Sequence, residues 1–254
     1  MPRTIIIMAK IPFAGLVKTR LQPFLSPEQC AELAAAFLRD TVKKAQSVCI
    51  NTILAYSPAA ESNLSDEFSP PELISIKQTG TDLGERMSNA FDFVFERNSD
   101  SAVVLIGTDS PTFPVEYIEQ AFGFLEADSN AVLGKSADGG FYLIGLRNSA
   151  PHIFADVKWS SAEVYEQITA NIKTFKTVPD WYDVDTPDDL ARLRDEFEKN
   201  LKTQKTAPET PWHEPGNSTQ SSGRVADNAW WRKCDRPTAT SGIPVSPPPL
   251  NPLL

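Results

Sequence analysis

The sequence predicts an α/β fold, a mostly parallel central sheet with helices on both faces. Three observations lead there. Continuous branched-aliphatic runs such as Ile5-Ile6-Ile7 and Val103-Val104-Leu105-Ile106 read as strands buried on both faces. Amphipathic segments at helical spacing alternate with them, the pattern of a covered parallel sheet. The runs also stop in turn residues that no packed strand continues, as in Gly107-Thr108-Asp109-Ser110-Pro111. No internal repeat is visible.

Taken in order, 4–9 is a first buried strand, followed by a loop over 10–26 broken by Pro12, Gly15 and Pro23. Ser26-Pro27-Glu28 reads as a helix start, with Ser as N-cap and Pro at the first position. Its inward stripe is Leu33, Phe37, Leu38, Val42 and Ala45, and a second strand is expected over 48–56. A polar connection over 57–71 leads to a third strand at 73–77. Met87, Ala90, Phe91, Val94 and Phe95 then line a helix ahead of the strand at 103–106. The next helix begins at Pro114 and Glu116; strands follow at 131–134 and 141–146, a helix at 160–172, and a strand at 174–178. Thr186 as N-cap, Pro187 at the first position and acids in the first turn predict a last helix over 188–201.

After 201 the character changes. Nine of the 21 prolines fall in 202–254 with few branched aliphatics, so this part is expected to be a disordered tail behind a single 1–201 domain. Trp212, Trp230 and Trp231 are its only hint of a docking segment. Residues 1–201 hold 18 basic and 29 acidic side chains, whereas 202–254 hold 6 and 4. An acidic globular part argues against nucleic acid or an anionic membrane as partner. Cys30, Cys49 and Cys234 are unpaired in spacing and read as reduced thiols. No run approaches the ~18 apolar residues of a membrane span, and a cytoplasmic location is expected.

Five segments could carry chemistry. In the loop after the first strand, Gly15 allows close backbone approach while Lys18 and Arg20 supply cations for a phosphate; a solvated basic loop is the alternative. Asp109 sits at a strand end, where open α/β sheets bind ligands. Asp183 and Asp185 flank another strand end, although Asp-Thr-Pro-Asp-Asp is also a good capping turn. Carboxylates from two strand ends can hold one hard cation, Mg²⁺ or Mn²⁺, if they lie within ~8 Å of each other. Asp138-Gly139-Gly140 makes a plain hairpin turn or a substrate-facing backbone with Asp138 as acceptor. Gly80 and Gly84 suit a backbone surface for a base or sugar, while Glu85 and Arg86 can form helix-end ion pairs. Trp159-Ser160 reads as a core Trp and an N-cap, with a lid as the rival. His152 and His213 stand in no triad or metal spacing, so nucleophilic chemistry is unsupported.

Together these segments resemble a known family. Ala-Lys-x-Pro-x-x-Gly-x-Val-Lys-Thr-Arg-Leu from Ala9, Gly-x-Asp-Leu-Gly-Glu-Arg-Met from Gly80, Gly-Thr-Asp-Ser-Pro from Gly107, Asp-Gly-Gly-Phe-Tyr-Leu-Ile-Gly-Leu from Asp138 and Tyr-Asp-Val-Asp-Thr-Pro-x-Asp-Leu from Tyr182 look like a bacterial family of GT-A-fold, glycosyltransferase-like proteins. An arsenosugar-biosynthesis link has been proposed for some members. The likeness covers about 3–197. More distantly, Thr19-Arg20-Leu21-x-Pro23 is similar to the phosphate loop of sugar-nucleotide pyrophosphorylases, and 2-phospholactate guanylyltransferases look similar too.

The resemblance implies a nucleotide-diphospho-sugar transferase fold with Mg²⁺ or Mn²⁺ on Asp109 and Asp185. Lys18 and Arg20, with Lys10, would face phosphate. The loop lacks the Gly-x-Gly start and the second lysine of the pyrophosphorylases, which weighs against nucleotidyl transfer. The expected activity is therefore sugar transfer from a nucleotide-diphospho-sugar to a small acceptor, with Lys18 and Asp138 catalytic and Asp138, Gly139 and Gly140 on the acceptor. The rivals are a nucleotidyltransferase that joins an NTP to a phosphorylated acceptor, and a non-catalytic nucleotide-binding protein.

Overall fold

The apolar run after Arg3 forms β1 (Arg3–Lys10), with Ile5, Ile6 and Ile7 fully buried in the computed structural model, which describes residues 1–57 and 73–206. Alternate residues of a central strand point to opposite faces. Accordingly Ile5 and Ile7 enter one core and Ile6 the other. β4 (Ala102–Gly107) divides the same way, Val104 and Ile106 against Val103 and Leu105. That double burial is why both strands read as unbroken apolar runs.

The first core is covered by α1 (Pro27–Val48) and α3 (Val115–Glu126), through Leu38, Ala45, Ile118 and Phe122. The second lies under α2 (Leu83–Phe95) and α4 (Val164–Ala170), through Met87, Phe91, Val164 and Ile168. β2 (Thr52–Ser57), β3 (Ile74–Lys77), β5 (Ala131–Ser136), β6 (Phe141–Leu146) and β7 (Lys176–Trp181) complete a seven-stranded sheet of order β3-β2-β1-β4-β6-β5-β7. β6 pairs antiparallel with β4 and β5; the other described pairings are parallel. The chain continues from β1 toward β2 on one side and from β4 toward β5 on the other, although β1 and β4 are neighbours. A crevice at such a reversal is where open sheets bind ligands.

Several boundaries moved. α1 runs on to Val48, so β2 starts at Thr52 rather than at 48. The helix expected over 160–172 shrinks to Val164–Ala170, and at its expected start Ser160 adopts a left-handed backbone (φ 65°). The strand expected over 174–178 lies at Lys176–Trp181, and α5 (Pro187–Thr206) passes the 201 boundary. The tail from 207 onward and the connection over 58–72 lie outside the described residues. Among the described residues no helix is long and apolar enough to cross a membrane.

Candidate functional site

The loop after β1 is built to deliver one lysine. Lys10 stands exposed at the strand end, and the chain turns between Phe13 and Leu16, whose N–H donates to the Phe13 carbonyl at 3.0 Å. Gly15 takes φ +84° there, a conformation that favours glycine, with open space where a Cβ would lie. Val17 and Leu21 are buried on either side and fix the ends of the next turn. Between them Lys18 adopts the left-handed region (φ 48°, ψ 39°), which costs a non-glycine residue about 1 kcal/mol. Its carbonyl accepts from Leu21 N–H at 2.9 Å and from the Cys30 thiol at 3.5 Å.

This strained backbone turns the Lys18 side chain inward until only 5% of it is exposed. Nζ donates to Asp109 Oδ1, to the Val184 carbonyl at 2.9 Å and to Asp185 Oδ1 at 3.2 Å, 5.3 Å from the centre of the Phe37 ring. An ammonium has three N–H donors, and three acceptors use them. Burial lowers the lysine pKa, but the two carboxylates outweigh it and hold it above the usual value.

Asp109 follows the end of β4, and its carbonyl accepts from Val184 N–H at 2.8 Å, which ties the two loops together. Asp185 precedes α5, whose start is held by Thr186 and Asp189: each accepts from the other's backbone N–H, at 3.3 and 2.8 Å. Arg20, largely exposed, reaches Asp185 Oδ2 at 3.5 Å. Four of the residues singled out in the sequence therefore meet: Lys18, Arg20, Asp109 and Asp185. Two hydrogen bonds through one nitrogen leave the two acceptor oxygens no more than roughly 6 Å apart, inside the limit for sharing a cation. Among the described residues no group of three or more His, Cys, Asp or Glu forms a preassembled metal cluster. Two carboxylates nonetheless fit Mg²⁺ or Mn²⁺, because such hard ions take one or two carboxylates and complete their shells with water and substrate phosphate. In this conformation all three Lys18 donors are engaged by the two acids and the Val184 carbonyl.

Asp183, two residues before Asp185, is turned inward. Ser110 Oγ donates to its Oδ1 and Ser136 Oγ to its Oδ2 at 2.5 Å, and both serines are buried. Burial pushes this carboxyl up to about 6 against the pull of the two hydroxyls, and nearby Asp109 and Asp138 push it further in the same direction. Asp183 thus clips the β4 end, the β5–β6 turn and the loop before α5. The sequence reading paired it with Asp185 as a possible ligand and missed the clip; Ser110 and Ser136, each beside a singled-out motif, were the available signal.

The β5–β6 turn places Asp138 near this cluster, with Asp138 Oδ1 accepting from Gly140 N–H at 2.9 Å. Gly139 (φ +90°) has a steric reason to be glycine, since a Cβ would lie 2.0 Å from the Ala162 carbonyl oxygen. Gly84, expected to offer backbone to a base or sugar, is buried in the first turn of α2, where a Cβ would meet Trp159 at 2.7 Å and Phe154 at 3.0 Å. Packing accounts for that glycine. Gly80 (φ +131°) precedes the α2 cap, where Asp82 accepts from Glu85 N–H and a Cβ would strike Glu85. Glu85 bonds Thr81 at 2.7 and 2.8 Å rather than Arg86. Trp159 packs on the second core and over Gly84, and Ser160 caps no helix. From the opposite side, Lys44 of α1 donates to the Pro111 carbonyl at 2.8 Å and to the Phe113 carbonyl, 4.0 Å above the Phe113 ring. Its burial pushes its pKa down to about 8.

Comparison with known proteins agrees with this architecture. The family described as "uncharacterized protein conserved in bacteria (DUF2064)" matches residues 40–161. No functionally curated protein matches the chain. A crystal structure of a candidate nucleotide-diphospho-sugar transferase from Desulfovibrio desulfuricans G20 is 32% identical, covering 76% of this chain and 87% of that one, with a TM-score of 0.68. CMP:2-keto-3-deoxy-manno-octonic acid synthetase complexed with CTP is 12% identical over 79% of this chain and 100% of that one, TM-score 0.49. 4-Diphosphocytidyl-2C-methyl-D-erythritol synthase is 10% identical over 76% and 96%, also at 0.49. At such identities and scores the last two carry no argument about activity.

Proposed function

The chain belongs to this bacterial family, DUF2064, and we propose that it is a metal-dependent, glycosyltransferase-like enzyme moving a sugar from a nucleotide-diphospho-sugar to a small acceptor. The supporting observation is the convergence of Asp109 and Asp185, from two strand ends, on one cationic centre. These carboxylates would hold Mg²⁺ or Mn²⁺, whose charge, when bound, neutralises the leaving diphosphate. Arg20 presents a largely exposed guanidinium that can grip phosphate oxygens through two parallel hydrogen bonds. Lys10 adds charge at the strand end, and the open Gly15 turn leaves backbone accessible to the nucleotide, with the Gly80 turn beside it as a further backbone surface.

Asp138 is the acceptor-side base. It takes the proton of the acceptor hydroxyl as that oxygen bonds to the anomeric carbon and the bond to the diphosphate breaks. Gly139 and Gly140 carry the backbone against which the acceptor lies. Incubation with UDP-, GDP- and CDP-sugars plus Mn²⁺ and a panel of small acceptors tests this reading. Release of nucleoside diphosphate without pyrophosphate is the expected result. Pyrophosphate release from an NTP, with no turnover of any nucleotide-sugar, would replace it with nucleotidyl transfer.

A further inference from the structure

Resting on that reading of the acid pair, we propose that Lys18 is its resident counter-ion, so that the Lys18 ammonium and a divalent cation are alternative occupants of Asp109 and Asp185. Nζ already holds one oxygen of each acid, Asp109 Oδ1 and Asp185 Oδ1, Arg20 lies against Asp185 Oδ2, and the third Nζ donor is tied to the Val184 carbonyl. The ammonium is almost fully buried while Asp109 is 56% and Asp185 34% exposed, so a cation arriving from solvent meets carboxylates already neutralised from behind. Like charges placed this close repel strongly wherever water is scarce.

Exchange needs little movement. The Lys18 backbone is pinned by its bonds to Leu21 and Cys30 and by buried Val17 and Leu21 on either side. Its four-carbon stem, buried beside Phe37, carries three rotatable donors that can be re-aimed once the acids are taken. The natural new acceptor is the diphosphate that accompanies the cation. Metal and nucleotide would then each favour the other's binding, and thermodynamic linkage makes that coupling reciprocal. Lys18 thereby keeps two facing carboxylates compatible in the empty site and becomes a phosphate ligand only in the loaded one. This also reconciles the cationic loop with the geometry, in which Lys18 has no donor to spare.

The test is Mn²⁺ binding to the full chain without nucleotide, read by electron paramagnetic resonance of free Mn²⁺. Lys18→Met is expected to bind at least tenfold more tightly than wild type, Lys18→Arg about as weakly as wild type, and Lys18→Met/Asp185→Asn to lose the gain. Equal or weaker binding by Lys18→Met, including no binding by either protein, overturns the proposal. A second measurement on wild type covers a variant that fails to fold: ¹⁵N NMR of the Lys18 ammonium during Mg²⁺ titration. Loss or a large shift of the ion-paired signal at saturation supports exchange, and its persistence refutes it. Neither readout depends on turnover, so a failed sugar-transfer assay and a failed exchange are separate results.

Discussion

Asp183 and Asp185 are two residues apart on one loop, yet they face opposite surroundings. Asp185 looks outward to Arg20 and shares Lys18 with Asp109. Asp183 looks inward to two buried hydroxyls and meets no cation there. An ionised carboxylate is costly to bury without a positive partner, which is why the inner acid is pushed up to about 6. Two chemically identical side chains have therefore separated into an ion-paired acid facing outward and a buried structural clip. Alternation along an extended segment is enough to produce this, because successive side chains point to opposite sides.

The sharpest way to break the comparison is to neutralise each acid in turn. Asp109→Asn and Asp185→Asn should each reduce sugar transfer by roughly 10³-fold, the usual scale for losing a group that stabilises developing charge. Their melting temperatures should fall as well, because each variant leaves the nearly buried Lys18 ammonium one carboxylate short, with the other acid and the Val184 carbonyl still in place. Steady-state kinetics beside thermal denaturation checks both halves. A large melting shift with activity retained would reverse the roles assigned to the two acids.

Asp183→Ala should behave in the opposite sense. Two buried serine hydroxyls lose their acceptor, a cost of about 2–3 kcal/mol, visible in urea denaturation. The pH dependence carries a sign. A carboxyl raised from 3.8 to about 6 stabilises the fold through its protonated form, fully present below about pH 3.8 and lost as pH rises through about 6. Asp183→Asn, which stays neutral, should thus lie furthest below wild type near pH 4 and close the gap by pH 7. A gap that widens instead would mean that Asp183 is held ionised.

Gly139 supports the inner clip, since its turn carries the serine that reaches Asp183. Gly139→Ala places a Cβ on the Ala162 carbonyl at a left-handed position and should cost about 2–4 kcal/mol. Gly15→Ala has comparable φ but open space, and should cost only about 1 kcal/mol. Chemical denaturation of the pair separates steric from conformational need for glycine.

The sheet was legible because doubly buried strands have an unmistakable apolar signature, as in Val103–Ile106, and because the N-caps at Ser26 and Thr186 announce α1 and α5. Asp109 was legible as a strand-end acid. Its meeting with Asp185 is a long-range fact that follows from β4 and the α5 approach ending on the same edge, and spacing alone does not contain it. Gly84 misled because a glycine needed for packing under Trp159 looks, in sequence, like one needed for a ligand. Ser160 misled in the same way: Trp-Ser before an acidic stretch imitates a cap, but a left-handed Ser160 and the contact of Ala162 with the hairpin delay the helix to Val164.

Lys44 supplies the mirror image of the acid comparison. Lys18 faces carboxylates and keeps its charge, whereas Lys44 faces two carbonyls and an aromatic ring, and its burial outweighs the more distant Asp40 and Glu116. Both lysines brace the β4 end, one from the charged side and one from beneath. A lysine lowered from 10.5 to about 8 is less protonated in the folded chain than in the unfolded one, so its contribution to stability is complete above about pH 10.5 and falls away as pH drops through about 8. Wild type should therefore gain on Lys44→Met in melting temperature as pH rises from 8 to 10, by several degrees. Lys18→Met should show no such gain, because the Lys18 pKa is displaced the other way. If both variants followed one pH profile, the two lysines would share an environment and the division into an outer charged site and an inner scaffold would fail at its cations.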